Sequence, residues 1–332
     1  MSPLLPGGLT AVPGIEVGHA TMLDRATGCT VVLTLDGATA GVDVRGGAPG
    51  TRETDLLRPV NLVEQVHAVV LAGGSAFGLN AVTGVMDHVE SRGAGFPTPH
   101  GRVPIIPAAV LYDLGVGGPP TVRPDADCGS RAARNASTAP VPEGNVGAGA
   151  GATVGKLAGA DKAMKGGLAS VATRIAGDVT VGALCAVNAA GDIVDPDSGA
   201  ILAGARDSNG GFIDLRASLR AGRMPTQRHT PLGEATTLGV IATGAKLDKA
   251  AATKIAQMAQ DGFARTIVPA HTPWDGDTIF CLGTGRQHNN VDIGLLGAVA
   301  AELMAIAVVR AIGAATSLPG IPAASDLADG QP

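Results

Sequence analysis

The run Thr236-Thr237-Leu238-Gly239-Val240-Ile241-Ala242 (residues 236–242) has the length and β-branched content of a buried strand. It follows directly on a polar stretch, Asp207–Glu234, which carries Gly210, Gly211, Gly222, Pro225 and Pro231 and reads as an exposed connector. A loop running straight into a strand that begins with Thr places a hydroxyl at a strand end. A cut before Thr236 would add a new amine beside it. A threonine hydroxyl is a weak nucleophile, but an N-terminal Thr carries its own base in its α-amine, whose reference pKa is about 7.7–8.0. Before cleavage the same hydroxyl would attack the carbonyl of Ala235. The resulting N-to-O acyl shift gives an ester that water hydrolyses. Taken alone, Thr236 and Thr237 read as ordinary strand residues, which Thr favours.

Outward from this run, other short apolar segments recur: Cys29–Leu35, His67–Ala72, Val179–Val187 and Thr278–Leu282. Each reads as a largely buried strand. Helical stretches alternate with them. Leu79–Arg92 follows a Gly-Gly turn, and Leu247–Phe263 has Asp248 as its N-cap. Val291–Ile312 is mostly apolar, so it must be buried. Strands and helices are mixed and no repeat period is visible, which predicts a layered α/β or α+β sandwich. The tail after Ser317 contains Pro and Asp and is expected to fray.

Composition narrows the function. Of 332 residues, 45% are hydrophobic, 16% charged and only 2% aromatic, so the core must be built from Ala, Val, Leu and Ile. The net charge of −5 and the lack of a basic patch with interleaved aromatics argue against a nucleic-acid partner. The apolar stretches are too short or too interrupted to span a bilayer, and the N-terminus does not read as a signal peptide. Cys29, Cys128, Cys185 and Cys281 form no CxxC pair, which speaks against structural zinc. Read as buried free thiols, they suit a cytoplasmic protein. No metal or other cofactor is expected.

Several polar groups stand out as chemistry. In His271–Thr278 (HTPWDGDT), Asp275 and Asp277 flank a glycine just before a strand and face the same side if extended. Two carboxylates held close do not both ionise cheaply. One could hold the amine of the nucleophile and the other relay a proton. A solvated Asp-Gly turn is the competing reading. Leu71–Gly78 (LAGGSAFG) is a strand-to-helix turn in which Phe77 replaces the last glycine of a nucleophile elbow, so Ser75 reads as a cap or pocket lining. Tyr112, Asn188 and Lys156 are polar residues in apolar or Gly-rich surroundings. Asn188 or Tyr112 could donate to an oxyanion or be structural. A lysine after Gly147–Gly155 reads by itself as a solvated side chain.

Together these segments resemble the DmpA-type L-aminopeptidase/D-esterase family, which includes β-aminopeptidases and nylon-oligomer endohydrolases. The resemblance covers nearly the whole chain. It is carried by Asp43–Asp55, Leu71–Leu79, Val110–Leu114, Gly147–Lys156, Val187–Asp195, Thr236–Ala242, Asp261–Arg265 and His271–Phe280. It implies a four-layer αββα sandwich shared with ornithine acetyltransferases. It also implies one domain, 1–332, processed between Ala235 and Thr236 into an α chain (1–235) and a β chain (236–332), with 318–332 as a flexible tail. By the resemblance Thr236 is the nucleophile, Asp275 and Asp277 its acidic pair, and Lys156 a site lysine. Asn188 and Tyr112 match residues near the scissile carbonyl. The implied substrate is a short peptide or linear oligoamide such as a 6-aminohexanoate oligomer, and the implied assembly is a tetramer of αβ heterodimers. The Thr nucleophile, the Asp-Gly-Asp pair and Lys156 look more like the nylon-oligomer branch. That branch usually has Asn before the cut, where this chain has Ala235. An acyltransferase of the ornithine acetyltransferase type, and an oligomeric relative that never cuts, are the alternatives.

Overall fold

The computed structural model describes residues 2–175, 178–223, 234–288 and 291–328. Nine strands form the main sheet system among them: β1 (Glu16–Thr21), β2 (Gly28–Val44), β3 (Gly50–Arg52), β4 (Val66–Ala72), β5 (Ala108–Val110), β6 (Gly167–Ile175), β7 (Val179–Val187), β8 (Leu238–Ala245) and β9 (Thr278–Gln287). The 17-residue β2 belongs to two sheets. Its first part, Cys29–Leu33, pairs antiparallel with β1 and β4, while Thr39–Val44 pairs antiparallel with β9. From β9 the order runs through β8 to β7 and β6, with β8 and β9 parallel. From β4 it runs to β5 and β3.

The apolar run read from the sequence as a strand ends at Leu35. Instead, Gly37 takes φ 87° and the ladder shifts between Leu33 and Ala38, so the strand bends from one sheet into the other.

Strand periodicity then builds the layers. On β8, Leu238, Val240 and Ala242 pack with Val32, Val69, Leu71, Leu184, Phe280 and Leu282 between the two sheets. Ile241 points the other way, into a core with Ile255, Phe263, Leu303 and Val308. That outer core belongs to α3 (Lys249–Thr266) and α4 (Ile293–Ala314). The opposite outer layer is α1 (Ala81–Ser91) and α2 (Ala126–Arg134), packed on Val31, Ala68 and Val70. The result is the four-layer αββα sandwich. Gly41 lets α3 lie close on β2: a Cβ there would sit 2.1 Å from the backbone nitrogen of Thr253.

Asp248 caps α3 by accepting from the Ala251 N–H at 2.7 Å, and Asp292 caps α4 through Leu295 at 2.8 Å. The expectation that every apolar stretch is too short or interrupted to span a bilayer is corrected by α4, which is long and apolar enough by composition, with mean hydropathy 2.1; here it packs as the core helix over β6 and β7. Helix α1 starts at Ala81 because a 3-10 turn, Ser75–Asn80, precedes it, and no side-chain cap bond is made there. Two loop expectations need correction. The segment Asp207–Arg223 is not a bare connector. It contains a short helix, Leu215–Arg220, whose buried Leu215 donates its N–H to Asp192; residues 224–233 lie outside the described residues. The tail is not frayed over 318–328. Leu318 bridges Ile321, Pro322 accepts from the Lys165 N–H at 2.8 Å, and Ala323 is fully buried. Apolar contact and backbone pairing outweigh its polar composition; residues 329–332 lie outside the described residues.

Candidate functional site

The strand heads of β8 and β9 lie side by side, and their parallel ladder extends beyond them. Ala235 bridges Asp275, and the Thr278 N–H donates to the Thr237 carbonyl. Thr236 therefore sits at the mouth of a parallel strand pair. It is 4% exposed. Its N–H donates to the Asn188 carbonyl at 2.8 Å, where β7 has just ended. Its hydroxyl lies 2.6 Å from the carbonyl oxygen of Ala235 and donates to it. The same oxygen accepts the Gly276 N–H at 2.9 Å. In the uncut chain, then, the carbonyl before Thr236 is polarised by a backbone donor and touched by the neighbouring hydroxyl.

Asn188 is fully buried and all its polar atoms are used. Its Oδ1 accepts from the Thr153 N–H (3.0 Å) and from Lys156 Nζ (2.8 Å). Its Nδ2 donates to the carbonyls of Tyr112 (3.0 Å) and Glu234 (3.5 Å). Tyr112 meets the site through that carbonyl. Its phenol is half-buried near Glu234, and burial together with the Glu234 charge raises its pKa.

Lys156 is buried, contrary to its solvated reading. It follows the left-handed Gly155 at a 3-10 turn, and its Nζ meets the Asn188 carbonyl (3.1 Å), Asn188 Oδ1 and the Glu234 carbonyl (2.5 Å). Three acceptors match the three donors of an ammonium. Burial nonetheless pulls its pKa down to about 7, against the opposing pull of Asp275, Glu234, Asp113 and Asp277. Both protonation states are therefore accessible near neutrality.

The acidic pair is buried, not a solvated turn. Asp275 and Asp277 are each 2% exposed. Asp275 Oδ2 accepts from the Thr272 N–H at 2.7 Å. Burial first, and the Asp277 charge second, push its pKa up to about 6. Asp277 accepts from the Thr237 N–H through Oδ1 (2.7 Å) and from His271 through Oδ2. Neither carboxylate has a hydrogen bond to Thr236 in the uncut chain.

The raised pKa has a consequence for stability. Between the ordinary 3.8 and about 6, the folded chain holds a proton that the unfolded chain releases. Stability therefore falls as pH rises through that window. Asp275→Asn keeps an acceptor for Thr272 and removes the charge. Compared in a Thr236→Ala background, so that both chains are uncut, the Asn protein should melt higher at pH 7.5, with the gap closing toward pH 4. A gap independent of pH would contradict it.

Thr236, Asp275, Asp277, Asn188, Lys156 and the Tyr112 carbonyl meet in this cluster; Ser75 does not, and opens the 3-10 turn before α1. Four others were missed. Gly276 supplies the donor to the Ala235 carbonyl, and its place between two Asp residues was the available signal. Glu234 supplies a second carbonyl to the site. His271 holds Asp277. Lys165 is fully buried against the carbonyls of Gly149, Ala152 and Gly166, at 2.7–3.0 Å, and so fixes the Gly-rich segment that presents Thr153 to Asn188. Nothing in its neighbours in sequence distinguishes it from Lys162.

The layering defines an αββα sandwich with a buried polar cluster at its strand heads. Comparison with known proteins specifies it further: residues 8–324 match the model of peptidase family S58, and the chain belongs to that family, which identifies it as a hydrolase. An uncharacterized aminopeptidase of Mycobacterium tuberculosis is 43% identical, covering 97% of this chain and 98% of its own. A 6-aminohexanoate-oligomer endohydrolase of Paenarthrobacter ureafaciens is 31% identical, covering 90% and 84%. Among solved structures, a Burkholderia β-aminopeptidase superposes with TM-score 0.68 at 24% identity, over 99% of this chain and 95% of that one. The L-aminopeptidase D-Ala-esterase/amidase of Ochrobactrum anthropi, described as a variant of the Ntn hydrolase fold, gives 0.69 at 19%, over 97% and 91%.

Proposed function

We propose that this chain is an autoprocessing amide hydrolase that cuts itself between Ala235 and Thr236 and then uses Thr236 as an N-terminal nucleophile on short peptides or linear oligoamides. The observation that carries the reading is the Ala235 carbonyl, which receives both the Thr236 hydroxyl and the Gly276 N–H. In the first step Thr236 Oγ1 bonds to the Ala235 carbonyl carbon. The amide C–N bond breaks, and the hydroxyl proton is balanced by protonation of the departing nitrogen. Water then cleaves the ester, leaving a carboxylate at Ala235 and a free amine on Thr236. Two buried groups around this bond are tuned toward neutral pH, Asp275 near 6 and Lys156 near 7, and are the candidates to take and return the proton once they come within reach of the Thr236 hydroxyl.

The acyl half of a substrate takes the place of Ala235. That side chain lies among Leu157, Ala158, Ala190, Ala205 and Leu215, with Trp274 at the edge. Asp192 pins two of these walls by accepting from the Ala205 and Leu215 N–H groups. A lining of small aliphatic groups suits slim, unbranched acyl chains. The relative named as a 6-aminohexanoate-oligomer endohydrolase takes, by its name, an oligomer of an unbranched amino acid. The Gly276 N–H is the donor for the oxyanion of the substrate; Asn188 Nδ2 becomes the second donor once the cut releases it from the Glu234 carbonyl, while its other hydrogen stays on the Tyr112 carbonyl.

Denaturing electrophoresis with N-terminal sequencing of the purified protein tests the reading: two chains are expected, the smaller beginning Thr-Thr-Leu-Gly. A single chain of 32.7 kDa that persists on incubation would refute it. In the processed enzyme, Asp275→Asn should lower turnover of an aminoacyl anilide or short oligoamide by about 10²–10⁴-fold, the range of a general acid–base contribution. Unchanged turnover would remove Asp275 from the chemistry.

A further inference from the structure

His271 occupies a backbone conformation that an L residue takes at a cost. Its φ is 56°, in the left-handed region. That conformation aims two donors at one atom: its N–H lies 3.1 Å from Asp277 Oδ2, and its ring Nδ1 lies 2.9 Å from the same oxygen. A carboxylate only accepts, so Nδ1 is the donor in this contact, and the buried Nε2 has no hydrogen-bond partner among the described residues. The ring is 16% exposed and leans on Phe263 of α3, with centroids 6.4 Å apart. With Oδ2 held from two directions, Oδ1 is turned to the Thr237 N–H.

We propose that His271 is a positioning residue of the hydrolytic site, clamping Asp277 so that its free oxygen fixes the peptide that follows Thr236. The proposal rests on the reading of Thr236 as the nucleophile. Its physical content lies in what cleavage removes. In the uncut chain Thr236 is held from both sides: by the peptide from Ala235 and its own N–H on Asn188, and by the Thr237 N–H on Asp277. The cut severs the covalent anchor on the first side. The Thr237–Asp277 bond and the pairing of Thr237 with Thr278 then carry the position of the nucleophile. A clamp on Asp277 therefore matters more to the cut enzyme than to the cutting.

That asymmetry separates positioning from simple structural support. His271→Gly removes the ring and keeps the backbone donor, without the strain that Ala would carry at this φ. His271→Asn keeps a side-chain N–H donor near the place of Nδ1 and tolerates the left-handed backbone. In His271→Gly the half-time of self-cleavage should stay within about threefold of the parent. In the processed protein kcat should fall about 10–100-fold with little change in KM, the scale of a misplaced reacting group. His271→Asn should recover most of the lost kcat. Full kcat in His271→Gly overturns the proposal. So does an equal loss of processing and turnover, a Gly variant that does not fold, or an Asn variant no better than Gly. Asp277→Asn, run alongside, keeps the two ideas apart. A fully active Asp277→Asn removes the site reading and the proposal with it, whereas an inactive one beside an intact His271→Gly removes the proposal alone.

Discussion

Thr236→Ala yields one uncut chain and no hydrolysis of an aminoacyl anilide above background, a loss on the order of 10⁶-fold if Thr236 is the nucleophile. The fold should survive, because what the site asks structurally of residue 236 is its backbone. The N–H donates to Asn188, and the flanking peptide is held by Asp277 and Thr278. The substitution deletes one hydroxyl and one methyl from a buried position and leaves the β8 ladder intact. Thr236→Ser is the companion: it keeps the hydroxyl beside the Ala235 carbonyl and should still cut. Electrophoresis reads processing and a chromogenic anilide reads turnover. Cleavage at the same bond in the Ala variant would show that another group attacks, and the assignment of Thr236 would fall.

The parts of this molecule that were legible in its sequence are those set by local period and spacing. Val179–Val187 was read with its observed bounds because an uninterrupted apolar run of strand length has few other uses. Asp248 was legible as a cap because a helix start needs an acceptor for its free N–H groups. The long β2 was not, since Asp36-Gly37 looks like a turn until a second sheet is present to receive Thr39–Val44. At the site, Thr236, Asn188, Asp275, Asp277, Lys156 and Tyr112 were named together through a family resemblance. Their own surroundings left the solvated or structural readings open. Burial of Lys156 arises from β7, the Gly-rich segment and Glu234 meeting in space, and none of these is its neighbour in sequence. His271 and Gly276 act through a left-handed backbone and a backbone N–H, properties that hydropathy does not encode.

Gly276→Ala tests the part of the site that has no side chain. A Cβ at this position would lie 2.6 Å from Thr236 Oγ1 and 3.0 Å from the Ala48 carbonyl. Gly276 is outside the left-handed region, so Ala meets no backbone strain and the cost comes from contact alone. The Ala48 carbonyl belongs to a loop whose own N–H is tied to the Asp275 carbonyl, so it yields little. Relief comes by displacing the Thr236 hydroxyl, by lifting the 275–277 peptide, or by both. Lifting the peptide weakens the Gly276 donor on the Ala235 carbonyl where its oxygen becomes negative, and displacing the hydroxyl moves the nucleophile off that carbonyl. Loss of one such donor costs about 10²–10³-fold in rate. Self-cleavage of freshly purified Gly276→Ala should slow by that factor, with strands and helices unchanged by circular dichroism. The uncut protein should then convert over days where the parent is already processed on purification. Processing at the parent rate would mean that the Gly276 N–H is a strand contact only, and that the Ala235 carbonyl is activated from elsewhere.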